Sequence, residues 1–67
     1  MRAFGQILKE LRLEKGISAM TLAKAIGVSD MAVLRWESSK TDITSDNLIK
    51  LSKYFAVSTD YLLGLSD

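Results

Sequence analysis

The 67-residue chain contains neither His nor Cys, so it lacks the imidazole and thiolate that most often serve as general base, nucleophile or metal ligand near neutral pH. Eight carboxylates remain, but they are scattered, and helical spacing turns most of them toward solvent instead of pairing them for acid–base work. This inventory argues against an enzyme and implies neither a cofactor nor a metal. Recognition chemistry is better supplied. Asp30, Met31, Leu34 and Arg35 place a carboxylate acceptor, two apolar groups and the five-donor fork of a guanidinium on one short segment. Ser38, Ser39, Lys40 and Thr41 follow as a polar run with a single cation.

Charge narrows the possible partners. The net value is only +1, low for a dedicated polyanion binder of this size. Its distribution is uneven: residues 1–40 carry seven Lys and Arg against four Asp and Glu, whereas residues 41–67 carry two against four. An anion-facing surface therefore belongs to the first half. No apolar run approaches the roughly 18 residues needed to span a membrane, and Met1 to Lys15 mix charged and apolar types instead of forming a secretory leader. With no disulfide available, the expected location is the cytoplasm.

The elements that must position these residues are helices, because no segment shows sustained period-2 alternation. Phe4, Ile7, Leu8 and Leu11 form the i, i+3, i+4, i+7 stripe of a first helix that Gly16 ends. Ser18 caps a second, with Leu22, Ala23 and Ile26 inward and Gly27 closing it. A third follows Ser29, with Val33 and Trp36 as core positions; at this spacing Trp36 reads as core and not as a stacking platform. Thr44 or Ser45 caps a fourth, whose Leu48, Leu51, Ser52 and Phe55 share a face. Ser58 caps a short fifth that contains Tyr61, Leu62 and Leu63 and stops at Gly64. The expectation is one all-α, compact five-helix domain over residues 1–67, small enough that only roughly 60 % of its unfolded surface is buried.

Function is suggested by the second and third helices, each about eight residues long and joined by Gly27-Val28-Ser29. So short a turn with a glycine at its start makes the helices cross steeply. Ala23 is small enough for close approach, and Val28 and Val33 fill the angle. In a helix-turn-helix, here about residues 18–37, the later helix lies in the major groove of DNA while the earlier one crosses the backbone.

ISAMTLAKAIGVSDMAVLRWESSK resembles the helix-turn-helix of the phage lambda repressor and Cro-like family, the XRE family. FGQILKELRLEKG is similar to the family's first helix and NLIKLSKYFAVSTDYLLG to its last two, so the likeness covers essentially the whole chain. The resemblance implies a sequence-specific double-stranded DNA-binding regulator, most simply a phage or bacterial repressor, with residues 30–37 as recognition helix and a homodimer on a two-fold operator. It also implies an ion pair between Arg12 and Glu37 that anchors that helix to the scaffold. Ala19 departs from the pattern, since many members carry Gln there to grip a phosphate.

On this reading Asp30, Met31, Leu34 and Arg35 face bases. Asp30 can accept from cytosine N4 or simply meet the helix dipole. Met31 suits a thymine methyl, Leu34 extends that patch or packs on the following loop, and Arg35 can fork onto guanine or hold a phosphate. Ser18, Ala19, Ser29, Ser38, Ser39, Lys40 and Thr41 are the candidate backbone contacts, with first-turn N–H groups substituting for the missing amide. Tyr61, Leu63 and Leu65 are candidates for a dimer contact or for the junction with a further C-terminal domain. Ala19 and Asp30 also keep open a protein-interaction or antitoxin-like module with weak DNA binding.

Overall fold

The computed structural model describes residues 3–38 and 43–65. Five helices run in order: α1 (Phe4–Lys15), α2 (Ala19–Ile26), α3 (Asp30–Glu37), α4 (Ser45–Phe55) and α5 (Thr59–Leu62). Local chemistry sets most of their boundaries. Ser18, Ser29, Thr44 and Ser58 are extended residues whose hydroxyls accept from the N–H of the third residue of the following helix, replacing partners that a helix start lacks. Of the two candidates for the α4 cap, Thr44 takes the role and Ser45 is the first helical residue. The α1 start differs, since Ala3 offers no side-chain cap.

Gly27 closes α2 at φ 79°, where a side chain would be strained, and its N–H and that of Val28 both donate to the Ala23 carbonyl at 2.9 Å. Val28, half-buried, then packs against the core and aims the chain into α3. α3 packs against both α2 and α1, α4 lies under α2, and α5 closes against α4 and α1. The residues all five helices bury meet at the centre: Ile7 and Leu8 from α1, Leu22, Ala23 and Ile26 from α2, Val33 and Trp36 from α3, Leu51 from α4 and Leu62 from α5. Fully removing one such Leu from water contributes about 1.5–3 kcal/mol. The Cα radius of gyration is 10.6 Å, close to the roughly 11 Å of a compact chain of this length.

One helix end escapes the local rules. Ala56 closes α4 in the left-handed conformation at φ 57°, the one positive φ outside glycine among the described residues. Its neighbours over-determine it: the Ser52 hydroxyl donates to the Val57 carbonyl at 2.6 Å, the Val57 N–H donates to the Ser52 carbonyl at 3.1 Å, and the Val57 side chain packs on the core. Tyr61 also departs from expectation. It is half-buried and packed on the core, whereas Leu63 and Leu65 are exposed.

Candidate nucleic-acid interface

α3 carries two opposed faces. Val33 and Trp36, three residues apart, are buried, while Met31, Leu34 and Arg35, at i, i+3 and i+4, share an exposed face. Met31 is 61 % and Leu34 47 % exposed, values that an apolar side chain on a helix with a buried face available reaches only by being aimed outward. Arg35 completes the face with no ion-pair partner among the described residues. Leu34 thus shares a face with Met31 and Arg35, and most of the following loop, its other possible partner, lies outside the described residues.

Asp30 is exposed at the start of α3, and its Oδ1 accepts from the Met31 N–H at 3.0 Å. The carboxylate thus already serves the positive end of the helix it begins, one of the two roles its position allows. Its second oxygen remains available to a donor from outside.

The N-terminus of α2 presents a second polar edge. Ser18 is occupied by capping: its Oγ accepts from the Thr21 N–H at 3.1 Å and donates to Thr21 Oγ1 at 3.0 Å. Leu22 N–H is used by the Ser18 carbonyl, so the outward first-turn donors are those of Ala19 and Met20. Ala19 is half-buried with its methyl on the core, and Met20 is 54 % exposed. The sequence pattern marks Met20 only by its position two residues past the Ser18 cap. Ser29 is exposed and accepts from Ala32 N–H at 3.2 Å, and Ser38 donates through Oγ to the Arg35 carbonyl at 2.9 Å. Ser39, Lys40 and Thr41 lie outside the described residues.

Arg12 and Glu37 hold α3 to α1. Nε donates to Oε2 at 2.6 Å and Nη2 to Oε1 at 3.0 Å, the bidentate geometry, while Nη1 donates to the Ile17 carbonyl at 3.0 Å. One guanidinium therefore ties together the end of α3, its own helix and the loop that enters α2. The Glu37 hydrogen bonds hold the Arg12 pKa above its ordinary value, outweighing the opposing effect of burial, with charge attraction adding to them. Stability from a raised guanidinium is fully present below its unfolded pKa and is lost only as pH climbs through the higher folded value. The cationic half of the pair thus persists through the neutral range.

A helix-turn-helix family model matches residues 8–62. The chain belongs to the lambda repressor-like helix-turn-helix family. This is a family of DNA-binding transcriptional regulators of phage and bacterial type, not of enzymes. Among its helix-turn-helix relatives, repressor protein C2 of Salmonella phage P22 is 39 % identical over 59 residues, covering 88 % of this chain and 27 % of its own. The regulator ImmR of Bacillus subtilis (strain 168) is 36 % identical over 62 residues, 92 % of this chain and 49 % of its own. The chain thus spans between about a quarter and a half of these two curated relatives. In solved structures, the P22 c2 repressor in complex with a synthetic operator superposes with a TM-score of 0.92 at 35 % identity, covering 98 % of this chain and all of that one. The restriction-modification controller protein C.AhdI of Aeromonas hydrophila gives 0.81 at 34 %, with 88 % and 89 % covered. Among the described residues of this helix-turn-helix domain, no helix is long and apolar enough to cross a membrane.

Proposed function

We propose that residues 1–67 form one DNA-reading domain that represses transcription by inserting α3 into the major groove of a double-stranded operator, acting in the cytoplasm. The observation that carries this reading is the outward face of Met31, Leu34 and Arg35 on a helix whose opposite face is locked into the core, in a fold shared with an operator-bound repressor. Met31 and Leu34 supply apolar contact to thymine methyl groups, and Arg35 supplies the guanidinium fork for a guanine edge. Asp30, already engaged at the helix start, contributes through its second oxygen to cytosine N4. Ser18 and Ala19 through N–H groups, and Ser29, Ser39, Lys40 and Thr41 through hydroxyl and ammonium groups, meet phosphates and position the domain without reading sequence, whereas Ser38, whose N–H and hydroxyl both donate within its own helix end, serves to close α3.

One such unit reads only a short half-site, so binding to a two-fold operator calls for a homodimer. Exposed Leu63 and Leu65, at 39 % and 66 %, supply apolar surface for that contact. The test is selection of bound duplexes from a random pool, followed by affinity measurement for the winner and a scrambled duplex at two salt concentrations. Enrichment of a palindrome with thymines and a guanine in each half is expected, with log K falling against log salt by about 0.9 per neutralised phosphate. No enrichment together with flat salt dependence overturns the reading.

A further inference from the structure

On the side of α2 away from its N-terminus lies an open groove of about 440 Å³, lined by Ala25 and Ile26 of α2 and Lys50, Lys53 and Tyr54 of α4. Lys15, at the end of α1, adds a third cation, its Nζ 5.1 Å from the centroid of the Tyr54 ring. Lys50, Lys53 and Tyr54 sit at i, i+3 and i+4 of α4 and so share one face. The groove is thus lined by small aliphatic, aromatic and lysine side chains, and the Lys15 ammonium stands beside it over the Tyr54 ring. Among the described residues none of the three is within ion-pair distance of a carboxylate. The adjacent C-terminus of α2 contributes only about half a negative charge and Asp46, one turn before Lys50, one more, so the three lysines leave a net positive balance at the groove, which residues from both halves of the sequence build.

We propose that this groove is a docking site for an acidic protein segment carrying an apolar anchor side chain. The anchor lies over Ile26 and Tyr54, and flanking carboxylates meet Lys15, Lys50 and Lys53. Charge complementarity selects the acidic flanks. The floor selects a peptide over a nucleic acid, because a phosphate backbone brings charge but no compact apolar group to fill it. An open trough suits an extended or helical segment better than a small molecule, which would leave one side in water. Ile26 lies eight residue steps past Ser18, roughly 12 Å along the α2 axis, so the groove is offset from the edge proposed to meet phosphates. The site therefore links the DNA-bound protein to a second protein.

The experiment selects 12-residue peptides from a random displayed library against the intact chain. The consensus peptide is then titrated into isotope-labelled protein, alone and bound to its selected duplex. The expected consensus is an apolar residue between Asp or Glu, shifting the amides of Ala25, Ile26, Lys50 and Tyr54. Lys50→Glu with Lys53→Glu weakens peptide binding at least about tenfold, Lys50→Arg with Lys53→Arg retains it, and both pairs keep the folded amide spectrum outside the groove. Three results overturn the proposal: no acidic enrichment, peptide binding indifferent to charge reversal, or displacement of the peptide by duplex. The last would make the groove a DNA-backbone surface. Because the readout is peptide binding, failure here leaves the operator-reading proposal standing, and the reverse holds as well.

Discussion

Replacing Glu37 with Ala removes the carboxylate that takes two of the three hydrogen bonds made by Arg12. The side chains are 12 % and 7 % exposed, so water replaces the lost acceptor only in part. Each hydrogen bond to a charged group is worth about 1.5–3 kcal/mol, and breaking a buried pair costs about 3–5 kcal/mol. Partial exposure of the guanidinium places this case lower, at about 2–3 kcal/mol. Total stability for a domain of this length is about 3–10 kcal/mol, so the change removes a large share. It should lower the melting temperature by about 10–20 °C, given about 4–8 °C per kcal/mol in small domains. Urea titration followed by circular dichroism at 222 nm measures the cost. A cycle with Arg12→Met, Glu37→Leu and the double variant isolates the coupling. The double variant should recover most of the loss, because two apolar groups leave no stranded charge. A cost below about 0.5 kcal/mol, or strict additivity in the cycle, would refute the argument that this pair pins α3 to the scaffold.

Further expectations concern the caps, the core and the reading face. Ala56→Gly should stabilise by about 0.5–1 kcal/mol, because it relieves the left-handed strain at φ 57° for a smaller entropic cost. Gly27→Ala, at φ 79° with nothing within 4 Å of the added carbon, should destabilise by about 1–2 kcal/mol through backbone strain alone; same-sign shifts in the two melting curves would contradict this account. Ser29→Ala loses the hydroxyl that accepts from Ala32 N–H and should cost about 1 kcal/mol in chemical denaturation. Leu22→Ala, at a fully buried position, should cost about 2–5 kcal/mol and leave the domain at or past its stability limit, read as lost far-ultraviolet signal or a collapsed midpoint. On DNA, replacing operator thymines by uracil should weaken the parent protein but leave Met31→Ala almost unaffected; equal losses in both proteins would remove Met31 from methyl recognition.

The sequence by itself determined the helices and their order. Ser18, Ser29 and Ser58 as caps, Gly16 and Gly27 as stops, and the periodic apolar residues act over three or four positions, so their signal is local and survives without the fold. The outward direction of Met31 followed from its offset to Val33 by the same geometry. Tertiary structure alone decided what depends on residues far apart in the chain. Ala56 takes a conformation its type disfavours because Ser52 and core-bound Val57 hold both sides of it. Tyr61 turns onto the core while Leu63 and Leu65 stay exposed, a choice that the pattern of a four-residue helix is too short to express. Arg12 reaches the Ile17 carbonyl as well as Glu37, and Lys15 meets Tyr54 beside Lys50 and Lys53. Residues as far apart as Lys15 and Tyr54 become neighbours only because buried apolar faces bring α1, α2 and α4 together, and local spacing carries no record of that packing.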